Sequence, residues 1–188
     1  MRGFRHGFVL ILLLAGALVS AADTAATKAE RLEFPDGTVI TLTHPETWQF
    51  QRTPPNGKFP PSIKLTGDSG GSFSLQLSFM PDTPNRPDTQ EKVDQMVTLA
   101  GAQYEGGSVE KKITVKRLTC TKGLGSYAPF TDADLVGKEV TPGQVRVVAT
   151  GVVVYGKAFG IFTLLEDSVD QPGFKEALRV LTEGIAPK

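Results

Sequence analysis

Residues 145–155 and 158–166 are two runs of almost uninterrupted apolar character, separated only by Gly156 and Lys157. A two-residue connection with Gly at its first position fits a tight hairpin and forces antiparallel pairing. On the first arm Val147, Ala149, Val153 and Tyr155 fall on one face, and Val148, Val152 and Val154 on the other. On the second arm Phe159, Ile161 and Leu165 oppose Phe162 and Leu164. Side chains alternate across a strand, so this hairpin is apolar on both faces, and both must be covered.

Two amphipathic segments are available as covers. In residues 89–102, Val93, Met96, Val97 and Ala100 recur at helical spacing, Asp88 followed by Glu91 has the form of a capping box, and Gly101 reads as the stop. Towards the C-terminus Pro172 stands at a first-turn position, Phe174, Ala177, Leu178 and Leu181 make one stripe, and Gly184 reads as the C-terminal cap. Glu166, Asp167 and Asp170 read as capping and dipole-complementing carboxylates for this second helix. Extended segments are predicted at 31–34 and 38–43 around the turn Pro35-Asp36-Gly37, then at 49–52, 63–66 and 72–80. Three more follow at 109–112, 113–121 and 124–130. The periodicity predicts an α+β domain over residues 31–188, an antiparallel β-sheet covered by helices on both faces.

The N-terminus follows a different rule. Arg2 and Arg5, an apolar run from Phe8 to Leu18, and small Ser20, Ala21 and Ala22 form a secretory signal peptide pattern over residues 1–21. The run is shorter than the roughly 20 residues a membrane-spanning helix needs. The expectation is export to the periplasm or the extracellular space, with no stable membrane insertion after cleavage, and a frayed mature N-terminus at 22–30. Lys plus Arg and Asp plus Glu number 20 each, and losing Arg2 and Arg5 tips the balance to the acidic side. No positive field remains to favour nucleic acid. Cys120 is the one cysteine, so no internal disulfide can form, and in VKRLTCTKG it reads as a buried strand residue.

The early hairpin, the Pro-x-x-Trp turn at Pro45 to Trp48, the central helix, the long hairpin through Gly156 and the closing helix near Phe174 resemble the PsbP-like α/β/α sandwich. That superfamily includes photosystem assembly subunits, Ran-binding nuclear transport factors and secreted bacterial domains without assigned function. Its members typically carry Gly before the Trp, where this chain has Thr47. The resemblance implies binding or assembly work and brings no catalytic residues with it.

Gly67-Asp68-Ser69-Gly70-Gly71 is similar to the nucleophile loop of chymotrypsin-like proteases, which would need His44, the one histidine of the mature chain, as general base. Yet Ser72-Phe73 follow at once and begin an amphipathic strand, so a turn is the plainer reading. Asp132, Asp134 and Glu139 are the candidate metal ligands, but the third position of a calcium loop falls on Val136 and Glu139 comes too early. One His and one Cys do not supply a zinc site, and no phosphate-cradling motif lies between a strand and a helix, so no cofactor is expected. Trp48 and His44, flanking a Pro-containing bend, form either a ligand ledge or a core cap.

The resulting expectation is a non-catalytic binding or assembly-factor domain whose partner is a protein or cell-envelope component. A small-molecule carrier is the alternative, and a serine hydrolase using Ser69 and His44 a remote one. Partner-binding candidates are Phe59, in a Pro-rich loop, and Tyr127 and Phe130, in a Pro-containing segment running into Asp132. Rigid loops with rings offer contact area at low ordering entropy. The competing reading tucks Phe59 and Phe130 into the sheet.

Overall fold

The computed structural model describes residues 26–187 apart from 35–36, 58, 68–72, 81–83 and 142–143. The signal segment at 1–21 and Ser69 therefore lie outside the described residues. The elements run in the order β1 (Thr27–Glu33), β2 (Val39–Pro45), β3 (Gln49–Thr53), β4 (Ser62–Thr66), β5 (Ser74–Met80), α1 (Gln90–Glu105), β6 (Lys116–Arg117) and β7 (Leu124–Thr131). A 3₁₀ turn at Ala133–Leu135 follows, then β8 (Val147–Tyr155), β9 (Ala158–Glu166), α2 (Pro172–Glu183) and β10 (Ile185–Pro187).

The β8–β9 hairpin closes with Tyr155 opposite Ala158 and Gly156 at φ 58°, the left-handed value this turn requires. It lies inside a seven-stranded antiparallel sheet of order β3-β4-β5-β9-β8-β7-β6. Alternate side chains of β8 divide as their period dictates. Val147, Ala149, Val153 and Tyr155 join one apolar cluster with Phe162 and Leu164, whereas Val152 and Val154 join a second with Phe159. Val93 and Val97 of α1 belong to the second cluster; Phe174, Ala177, Val180 and Leu181 of α2 belong to the first. α2 shares the first cluster with a second sheet of order β1-β2-β10, which contributes Leu32, Ile40, Leu42 and Ile185. The early hairpin is thus not an extension of the main sheet, and this cluster is closed by strands as well as a helix. The molecule is a mixed α/β structure of two sheets and two helices.

Several local expectations are corrected. Residues 27–30, expected to fray, form the first part of β1, because Thr27 to Glu30 pair with Pro45 to Leu42. The cap of α1 is Thr89, whose side chain accepts from the Lys92 amide, not Asp88. Gly101 does not end α1 but lies inside it, where a Cβ would come within 2.9 Å of Phe130 Cζ; glycine lets the helix approach β7 closely. α2 does begin at Pro172 and end at Gly184, but its N-cap is Gln171 and no side chain caps it. Asp170 stays exposed, while Glu166 is buried and accepts from the Asp167 amide at 2.9 Å. Of the strands expected over 109–121, just Lys116–Arg117 pairs as β6. Ile113 and Val115 still pack against the second cluster, because alternation reports which side chains are buried and not whether the backbone forms a ladder.

One polar cluster ties α1 to β7. Ser126 Oγ donates to Asp94 Oδ1 at 2.6 Å, Gln90 Nε2 donates to the same oxygen at 3.1 Å, and Arg117 reaches Oδ2 through two nitrogens at 3.0 and 2.8 Å. Burial pushes the Asp94 carboxyl up, but these donors together outweigh it and hold the group below its ordinary value of 3.8. Ionised Asp94 therefore contributes stability above about that pH, and the contribution is lost as pH falls through the lower folded value. Asp94→Asn is expected to destabilise by about 1.5–3 kcal/mol at neutral pH, the range for hydrogen bonds to a charged group. The deficit should shrink in strong acid, which urea unfolding at both pH values checks. Phe162, buried in the first cluster, should cost about 3–5 kcal/mol when truncated to Ala. A wild-type unfolding midpoint for that variant would contradict its place in the core.

Candidate functional site

A cleft opens where the C-terminal turn of α1 passes the ends of β7 and β8. Its volume is about 270 Å³, and Gln103, Tyr104, Ser108, Phe130, Asp132 and Asp134 are among the residues that line it. The hydrophobic spacing of α1 directs Val93 and Val97 into the core and carries the half-buried Tyr104 onto Phe130, with ring centroids 5.5 Å apart at 35°. Phe130 is 3% exposed, so it forms a fixed floor. The opposite wall is the 3₁₀ turn. Asp132 Oδ1 caps it by accepting from the Asp134 amide at 2.8 Å. Arg146 pins the following loop by donating to the Leu135 and Lys138 carbonyls at 3.4 and 2.9 Å, and it pairs with Asp167 at 3.2 Å.

The back of the cleft is a closed polar arrangement. Ser108 bridges Asp132 through the backbone and donates from Oγ to the Glu105 carbonyl at 3.0 Å. Glu110 accepts from Thr131 N at 2.9 Å and Thr131 Oγ1 at 2.8 Å. Burial raises the Glu110 carboxyl, yet hydrogen bonds from Thr131, from its own backbone amide and from Ser108 together leave it below its ordinary value. Lys111, at φ 50°, turns back so that Nζ donates to the Gly106 carbonyl at 2.7 Å. Lys111 is thereby committed to the helix end, and the lining contains two carboxylates and no cation.

Three of the sequence candidates meet here. Phe130 is the floor, with Asp132 and Asp134 on the wall, but Glu139 is not in the lining. Among the described residues no group of three or more His, Cys, Asp and Glu side chains converges to hold a metal ion. Tyr127 lies on the other face of β7, buried, with its ring 6.2 Å from Phe174. Phe59 is 68% exposed in the β3–β4 loop. The three ring residues therefore do not form one surface, and Phe130 tucks into the sheet whereas Phe59 does not. Gln103, Ser108 and Thr131 went unnoticed because they are scattered in sequence; Gly106-Gly107 reads simply as a turn.

The other candidates resolve separately. Trp48 is half-buried against Phe73, centroids 4.6 Å apart, while His44 stacks on Phe50 at 5.9 Å, so the two form no shared ledge. His44 is buried, its Nδ1 donates to the Pro45 carbonyl at 2.8 Å, and its Nε2 lies 4.0 Å from Glu30 Oε1. A general base needs hydrogen-bond reach to the proton it removes, and this ring offers neither nitrogen to solvent. Half-buried Cys120 has its thiol pushed up to about 11 by burial, so it remains protonated at neutral pH. A serine-directed fluorophosphonate is expected to leave Ser69 unlabelled, which peptide mass spectrometry checks.

With that geometry in place, the fold can be assigned. It is PsbP-like: the cyanobacterial PsbP (CyanoP) of Synechocystis sp. PCC 6803, determined in solution, superposes with a TM-score of 0.51 over 92% of this chain and all of that one, at 12% identity. No family model matches the sequence, and no curated protein does. No helix among the described residues is long and apolar enough to cross a membrane.

Proposed function

We propose that this chain is an exported, non-catalytic binding module or assembly factor, with its main sheet layered between α1 on one face and α2 with the small sheet on the other, and that the α1-end cleft is its binding site. The observation that carries this reading is the cleft itself: a preformed recess in which polar side chains surround an aromatic floor, built on a helix and a strand. Polar groups converging on an aromatic surface in a concave recess can fix a ligand's orientation. Burial of His44 disfavours the hydrolase alternative, and the balanced charge disfavours nucleic acid. The leader pattern at 1–21 supports export to the periplasm or beyond, and a protein or cell-envelope component as partner.

A photo-crosslinking residue placed at Gln103 or at Asp134 tests this in cells. A discrete protein adduct is expected from both positions and not from the exposed Lys64 of β4. A low-mass adduct alone would favour the small-molecule carrier, and identical patterns at Lys64 would refute the cleft as the site.

A further inference from the structure

The chemistry of the cleft narrows what it holds. About 270 Å³ lies just below the roughly 300–1,000 Å³ of pockets for drug-sized ligands, so the recess suits one side-chain-sized group. Two carboxylates give it a negative potential. Asp132 and Asp134 are the charged residues of the lining. Neighbouring cations are engaged elsewhere: Lys111 on the Gly106 carbonyl, and Arg146 on Leu135, Lys138 and Asp167. Glu110, behind the wall, is satisfied by Thr131 and adds to the same sign of potential. Between these charges lies an apolar surface, the Tyr104–Phe130 ring pair with Val148 beside it. Ring faces attract ammonium and guanidinium groups and also pack against methylenes.

Resting on the reading of this cleft as the binding site, we propose that it takes a compact organic cation, a primary ammonium or guanidinium group on a short apolar stem. Asp132 and Asp134 supply the counter-charge, and Tyr104 with Phe130 receives the stem. The same group is carried by a lysine or arginine side chain of a protein partner and by a free polyamine.

Titration of the ¹⁵N-labelled protein with cadaverine, with the capped tripeptide acetyl-Gly-Lys-Gly-amide and with neutral 1-pentanol separates the outcomes. Both amines are expected to shift amides of residues 103–108 and 130–134, pentanol is not, and Asp132→Asn with Asp134→Asn should weaken amine binding about tenfold while the rest of the spectrum stays in place. Added salt should weaken it further, since both carboxylates are exposed. Tighter binding of the tripeptide supports the proposal with a protein side chain as source, and tighter binding of cadaverine supports it with a free amine. Equal shifts from pentanol would overturn the cation while leaving the cleft as a binding site. Shifts outside the cleft, none at all, or an unchanged affinity in the double variant would overturn the proposal outright.

Discussion

The packing of the main sheet turns on a single cross-strand pair, Gly151 of β8 and Phe162 of β9. The Phe162 ring lies directly over Gly151, in the space a Cβ would occupy. An aromatic ring laid over a neighbouring glycine buries its area without forcing the strands apart. Leu77 of β5 sits across from the same Phe162 on the other side, and its side chain lies over Gly160 of β9, so two large side chains laid over glycines join three adjacent strands near the middle of the sheet. The first apolar cluster grows outward from there to α2 and the small sheet, and it accounts for most of the fold's buried bulk without a disulfide.

How much of this is legible in the sequence depends on what each residue pattern reports. The faces of β8 and β9 are legible because strict period-two alternation survives inside a doubly covered sheet. α1 and α2 are legible from their stripes. Gly101 is not, since glycine signals a helix end and a close helix approach with the same letter. Pro129, inside the strand expected over 124–130, stands in β7 opposite Ala149. The carbonyls of Thr131 and Gly125 accept from Val109 and Leu118 on the outer side of β7, so by parity the Pro129 nitrogen also faces outward, past the end of β6. A missing donor does no harm there. Segregation of the early hairpin into its own sheet has no local signature at all, because it is decided by β10, far along the chain.

The candidate site has the same character. Asp132 and Asp134 stand out in the sequence as paired carboxylates, and Phe130 as an aromatic beside a proline. Their partners Gln103, Tyr104 and Ser108 belong to a helix end some 30 residues earlier, and nothing local links the two. What joins them is the approach of α1 to β7 that Gly101 permits. The cleft follows from core packing: where the helix runs out above the end of the strand, the two layers diverge and leave a recess between them.

β10 carries a consequence for how the chain reaches this state. It pairs Ile185 with Leu42 and Pro187 with Ile40, closing a sheet whose central strand lies near the start of the described residues. Joining segments so far apart in sequence carries a large loop-closure entropy and slows the step. During vectorial synthesis β2 can pair with β1 almost at once, but its second edge stays open until Ile185 to Pro187 have emerged. The small sheet therefore stays incomplete while the intervening strands and both helices are being made, with one edge of β2 unpaired through that interval.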